Sequence, residues 1–275
     1  METTGRLDRG DGVELAWAKV EARGDARGDA RGEGTGEGRG EGSGDGTGLT
    51  VVFLPGYYSD MTGDKATALA GFAADQGHAM LRFDYSGHGA SGGRFEDGTI
   101  GVWTRDSLAV IDRLTTGRLI LVGSSMGGWI ALLTALARPD RVSAVVGIAG
   151  APDFTQRLML ERLSADQRDA LMRDGIIHRP SQYGAPTPLT RALIEDGPNH
   201  FLLTGPIPLT CPIRLLHGQE DPDVPWELSL QVARLVASTD VEVILIKDGD
   251  HRLSRPRDLA LLRRTVGALL GQDGA

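Results

Sequence analysis

Gly123-Ser124-Ser125-Met126-Gly127 places a serine between two glycines in a G-x-S-x-G pattern. The pattern falls between a short apolar run, residues 119–122, and a helical stretch that starts near Met126. A strand-to-helix turn this tight has no room for side chains beside the central residue, and it pushes that residue's hydroxyl out at the sheet edge. Ser125 is therefore the expected nucleophile. The Met126 N–H, at the helix start, is positioned to stabilise a developing oxyanion. A serine hydroxyl is a weak nucleophile until a base takes its proton, and the expected base is a histidine oriented by a carboxylate.

Where this motif joins a strand to a helix, the acid and then the base follow later in the chain. Six histidines compete for the second role. His78 opens a strand, His88 lies in a loop, His178 and His200 fall between residues 151 and 206, and His217 ends a strand. His251 alone follows the late strand expected over residues 241–246, ahead of the last helix, and is the expected base. The acid belongs in the loop after residues 213–216, which reads His217-Gly218-Gln219-Glu220-Asp221-Pro222-Asp223. Asp221 is the expected acid, Asp223 is the alternative, and Glu220 reads as a solvated charge. A second oxyanion donor is expected from the loop after residues 49–54. There Gly56 permits close backbone approach and the Tyr57 N–H is the natural donor; the plain alternative is a turn whose tyrosine packs.

Apolar runs at residues 49–54, 79–83, 119–122, 142–148, 213–216 and 241–246 alternate with helical spacing at 65–76, 100–114, 126–137, 226–236 and 257–270. Strands apolar on both faces, alternating with helices, predict a mostly parallel central sheet flanked by helices. Ahead of them, residues 6–8 and 13–20 flank Gly10-Asp11-Gly12 and predict a hairpin, with Val13, Leu15, Trp17 and Lys19 on one face. Residues 151–206 carry helical patches broken by Pro and Gly and no convincing strand. They are expected to form a small helical cap over the strand ends, where open parallel sheets bind ligands. Cap residues Leu158, Met159, Leu160, Leu163, Leu171, Met172, Ile176 and Ile177 either line an acyl groove or pack the cap onto the sheet.

The chain has 275 residues, a formal net charge of −8, and 40 % hydrophobic and 24 % charged residues. An acidic balance without a basic block argues against a nucleic-acid surface. No apolar run reaches the ~18 residues of a membrane span, and the polar first ten residues lack a signal-peptide core. The single cysteine, Cys211, forms no intramolecular disulfide and reads as core, so a cytoplasmic location is expected. Glycine-rich residues 23–48 have little to bury and are expected to be a flexible insertion in a single domain. Arginine far outnumbers lysine, which is confined to Lys19, Lys65 and Lys247, a usage typical of G+C-rich bacterial genomes.

Several longer stretches resemble a known family. They are Phe53-Leu54-Pro55-Gly56-Tyr57, Arg82-Phe83-Asp84-Tyr85-Ser86-Gly87, and the Ser125 motif with Leu121-Val122 before it and Gly128-Trp129 after it. Further matches run from Cys211-Pro212-Ile213 to His217-Gly218 with Val224-Pro225-Trp226, and from Ser238-Thr239-Asp240-Val241 to Asp250-His251-Arg252. Together these are similar to the α/β-hydrolases, and within them to a branch of acyl-protein thioesterases and acyl-glucuronide esterases. The resemblance implies an α/β-hydrolase fold and assigns Ser125, Asp221 and His251 as a triad. It further implies a serine hydrolase acting on a small-molecule or protein-linked acyl ester or thioester through an acyl-enzyme, with no metal or organic cofactor. Arg252 either binds a substrate carboxylate or makes an ordinary ion pair, and Asp84 is expected to tie its loop to the site's rim. The same triad also serves peptidases, C–C hydrolases and lactonases, and a non-catalytic binding protein could keep the fold.

Overall fold

A computed structural model describes residues 2–23, 48–181 and 184–271. The expected glycine-rich insertion lies outside the described residues except at its ends, Arg23 and Gly48. Eight strands form the central sheet in chain order β1 (Glu2–Asp8), β2 (Glu14–Val20), β3 (Thr50–Leu54), β4 (Ala79–Phe83), β5 (Leu119–Ser124), β6 (Val142–Ile148), β9 (Ile213–Gly218) and β10 (Val241–Ile246). Their spatial order is β1-β2-β4-β3-β5-β6-β9-β10. The pairs β1–β2 and β2–β4 are antiparallel, and all others are parallel.

The continuous apolar runs arise because both faces of the sheet are covered. Val52, Leu54, Leu119 and Leu121 face one layer, against Trp103 and Val110 of α2 (Ile100–Leu114), Trp129 and Ile130 of α3 (Met126–Ala137) and Val232 of α6 (Glu227–Leu235). Their alternates Val51, Phe53, Ile120 and Val122 face the other layer, against Leu69 of α1 (Asp64–Gln76) and Leu262 and Val266 of α7 (Pro256–Leu270). Each fully buried aliphatic side chain contributes roughly 1.5–3 kcal/mol, so these two layers hold the strand ends in place. Local signals set the helix limits. Thr99 Oγ1 accepts from the Val102 N–H at 3.2 Å to start α2, and Gly77, at φ 78°, ends α1 in the left-handed region.

The N-terminal hairpin differs from its one-sided expectation. In β2, Leu15 is buried on one face and Ala16, Ala18 and Val20 are buried as well, because β1 and β4 flank it and both its faces pack.

The segment over the sheet's C-terminal edge also departs from the all-helical expectation. It contains α4 (Ala165–Asp174), α5 (Arg191–Asp196) and, between them, an antiparallel ribbon of β7 (Ile176–Ser181) and β8 (Gly184–Thr190). Pro180, Pro186 and Pro188 hide this ribbon from sequence reading, since proline argues against a central strand. A two-stranded ribbon has two outer edges, so proline nitrogens can face away from the ladder at no cost in hydrogen bonds. Leu189 lies in β8.

The segment is pinned to the body by polar contacts. Trp129 Nε1 donates to the His200 carbonyl at 3.0 Å, and the Asp153 carboxylate accepts from the Leu202 and Leu203 N–H groups at 2.8 and 2.9 Å. Asp196 Oδ2 accepts from the Gly101 N–H in the first turn of α2 at 2.8 Å.

Candidate active site

Ser125 sits between β5 and α3 with φ 55° and ψ −118°. No ordinary L-residue prefers this conformation, and it persists because its surroundings fix it. The Ser125 N–H donates to the Ile148 carbonyl at 2.9 Å, and its carbonyl accepts from the Gly128 and Ala151 N–H groups at 2.9 and 3.1 Å. The flanking glycines are required sterically. A Cβ on Gly123 would collide with the Gly127 carbonyl, and one on Gly127 would collide with the carbonyl oxygens of Leu54 and Pro55.

Two loops from distant parts of the chain meet this serine. His251, after β10, holds Nε2 3.1 Å from Ser125 Oγ and Nδ1 2.7 Å from Asp221 Oδ2. A carboxylate at Nδ1 keeps the proton on that nitrogen, so the lone pair of Nε2 faces the serine hydroxyl. The Asp221 side chain, after β9, is fully buried, and its Oδ1 accepts from the Asp223 and Val224 N–H groups at 2.9 Å each. Burial alone would raise its proton affinity. Hydrogen bonds from His217 and His251, the charge of His251 and the Val224 N–H outweigh this and hold the carboxyl well below the usual carboxylate range. Of the two candidate acids, Asp221 is the one bonded to the imidazole. Asp223 stands in the same loop, its carboxylate oxygen within 4.8 Å of an imidazole nitrogen.

Tyr57, in the loop after β3, and Met126, at the start of α3, both line the cavity above Ser125. Neither backbone N–H bonds to another described residue, so both are free to donate. Gly56 permits the approach, since a Cβ there would lie 3.3 Å from the Ser124 carbonyl. The Tyr57 ring packs edge-on against Phe95, Trp103 and Phe154, and its hydroxyl donates to the Pro188 carbonyl of β8. Asp84 ties its own loop to the rim loop after β3, as expected: its carboxylate accepts from the Met61 N–H at 2.7 Å and the Ala90 N–H at 2.8 Å.

The cavity measures about 730 Å³. Phe154, Leu158, Met159, Leu189 and Val224 give it an apolar side, while Lys65, Arg162, Arg179 and Arg252 bring cations to its walls. Of the cap residues considered for an acyl groove, Leu158 and Met159 line it. Leu163 and Leu171 are buried in the core and Met172 is exposed, because α4 turns one face onto the body and the other outward. Arg252 lines the cavity and also lies 3.4 Å from Asp64 in an exposed pair. Burial, then the neighbouring Arg252, pushes the Lys65 ammonium down to about 8. Cys211 is half-buried against the core.

His217 was passed over in the sequence as a strand-ending residue. It is fully buried, with Nε2 3.2 Å from Asp221 Oδ2 and Nδ1 2.8 Å from the Ser229 hydroxyl of α6. Its spacing of four residues from Asp221, across a strand end, is the signal that could have found it.

A turn-borne serine, a bridging imidazole and a buried carboxylate, in this chain order on this sheet, define the α/β-hydrolases, and the chain belongs to the Alpha/beta hydrolase family, whose profile matches residues 51–261. It is 45 % identical to human palmitoyl-protein thioesterase ABHD10, mitochondrial, over 222 residues, covering 80 % of this chain and 72 % of the relative. The solved structure of mouse alpha/beta hydrolase domain-containing protein 10 superposes with a TM-score of 0.82 at 36 % identity, covering 98 % of this chain and 99 % of that one. A solved structure from Agrobacterium vitis S4, described as a hydrolase, gives 0.86 at 38 % identity over 98 % and 99 % of the two chains.

Proposed function

We propose that this chain hydrolyses acyl esters and thioesters through Ser125, His251 and Asp221. As Ser125 Oγ bonds to the carbonyl carbon, His251 Nε2 takes its proton, and Asp221 stabilises the imidazolium. The carbonyl electron pair moves onto oxygen, where the Tyr57 and Met126 N–H groups receive it. Collapse of this intermediate breaks the bond to the leaving oxygen or sulfur, which departs with the proton from His251. Water then loses a proton to His251 and adds to the acyl-enzyme, and the acid leaves as Ser125 Oγ regains its proton.

The observation that carries this reading is the imidazole spanning 3.1 Å to the hydroxyl and 2.7 Å to the carboxylate on opposite nitrogens. The apolar cavity wall of Phe154, Leu158, Met159 and Leu189 suits an acyl chain. The relatives named as palmitoyl-protein thioesterases support the thioester over other leaving groups. We also place the protein in the cytoplasm, a reading supported by its single cysteine and tested by cell fractionation; recovery in an organelle overturns it.

Fluorophosphonate labelling is expected to mark the wild type and to be lost in Ser125→Ala; folded wild type that resists the probe overturns the reading. Rates on p-nitrophenyl esters and acyl thioesters of increasing length then choose the substrate. Turnover rising with thioester chain length supports the thioesterase reading, and preference for short oxyesters counts against it.

A further inference from the structure

Behind the acid stands a second, wholly buried imidazole that the reaction scheme does not use. His217 lies in β9 with no solvent exposure. Its Nε2 is 3.2 Å from Asp221 Oδ2 and 3.1 Å from the Val224 carbonyl, and its Nδ1 is 2.8 Å from Ser229 Oγ. Both acceptors near Nε2 lack protons of their own, so that nitrogen carries the hydrogen and shares it between them. In the neutral ring Nδ1 is then the acceptor, and the Ser229 hydroxyl is the donor that fills it. The ring's tautomer is thus set from α6, one element away from the acid.

We propose that His217 and Ser229 form a positioning pair that keeps the Asp221 carboxylate turned toward His251 and fixes the loop that carries it. The proposal rests on the triad reading given above. Its physical basis is a complete set of donors around one buried carboxylate. Oδ1 takes the Asp223 and Val224 N–H groups, while Oδ2 is shared by His251 and His217. A buried carboxylate missing one donor either rotates to find another or gains a proton, and either change spoils its bond to His251. One ring also holds three elements together, since it is rooted in β9, touches the acid loop at Asp221 and Val224, and is anchored on α6.

The charged neighbours are few. His217 makes its charged contact with Asp221 alone among the described residues. Around His251 stand Asp221 and Asp223 from the acid loop, Arg252 beside it in the chain, and Asp64 and Lys65 from α1 along the cavity wall. Removing the His217 donor lets the carboxylate turn away from His251 or take up a proton, which weakens its hold on the imidazolium. The acid limb of the kcat/KM profile is then expected to move to lower pH.

The test is the pH profile of His217→Phe, which keeps a ring but no donor, and Ser229→Ala, with rates normalised to serine labelled by a fluorophosphonate so that unfolded protein drops out. Expected for His217→Phe are a kcat lowered about tenfold or more with little change in KM, and an acid limb displaced downward by about half a unit or more. Ser229→Ala should move both quantities the same way by less. If His217→Phe does not fold, Ser229→Ala and Ser229→Thr carry the test: the threonine variant, which keeps the hydroxyl, should restore the limb that the alanine variant shifts. A limb and a normalised kcat that match wild type in all folded variants overturn the proposal. The triad reading fails separately, if Ser125→Ala retains turnover.

Discussion

The Tyr57 hydroxyl donates to the carbonyl of Pro188 over 2.5 Å, which makes one side chain a tie between the loop after β3 and the cap ribbon. The same residue offers its N–H above Ser125, so the ribbon and one candidate oxyanion donor are mechanically joined through a single ring. Tyr57→Phe keeps the ring contacts and the N–H but frees the Pro188 carbonyl. Expected are a loss of about 1 kcal/mol in stability and faster amide exchange at Thr187, Leu189 and Thr190. Hydrogen-exchange mass spectrometry reads this, and ribbon exchange equal to wild type would show that the tie carries no weight.

The two candidate acids separate by substitution. Asp221→Asn removes the charge 2.7 Å from His251 Nδ1 and is expected to lower kcat by about 10⁴, as loss of the triad acid does elsewhere. Asp223→Asn leaves that bond in place, and its kcat is expected within about tenfold of wild type. Steady-state kinetics on one ester decide the matter, and the opposite ranking would give the role to Asp223.

Two glycine-to-alanine changes should act in opposite directions. Gly127→Ala drives a Cβ into the Leu54 and Pro55 carbonyls at the serine turn and is expected to cost more than about 3 kcal/mol. Gly71 lies mid-helix in α1 with nothing within 4 Å of the position a Cβ would take, so Gly71→Ala is expected to stabilise by about 0.5–1 kcal/mol. Urea unfolding midpoints would show a fall in one and a rise in the other.

His88 supplies an acid sensitivity. Burial pushes its imidazole down to about 4, against a weaker opposing bond to the Ser86 carbonyl, and its Nε2 has no partner among the described residues. Because the folded value lies below the unfolded one, near 6.5, only the unfolded chain takes up this proton as the pH falls from 6.5 toward 4. Stability is therefore lost across that window. Between pH 7.5 and 5.0 this residue alone is expected to remove about 2 kcal/mol. Urea titrations of wild type and His88→Leu at both values measure it; an equal pH loss in the two proteins would contradict the assignment.

The sheet was legible because both of its faces are covered. Each parallel strand is then a solid apolar run, and the run at Val142–Ile148 falls where the chain alone placed it. Ser125, Asp221 and His251 were legible because chain order and strand ends restrict where each can stand, and the structure brings these three side chains within hydrogen-bond reach. What sequence missed had weaker local patterns. The β7–β8 ribbon is masked by prolines that a central strand excludes and an outer edge tolerates. His217 was hidden because its partners, Asp221 and Ser229, lie on separate elements, and only packing brings them to one ring.

Prolines at positions 180, 186 and 188 also decide what the cap ribbon will not do. Pro180 and Pro186, both exposed, each remove an amide that a foreign strand would need, while Pro188 is buried and its carbonyl is taken by the Tyr57 hydroxyl. The rim of the substrate chamber can therefore change its side chains, and with them the molecules admitted, without becoming a template for fibril growth. Selection on specificity is in this way uncoupled from selection against self-association.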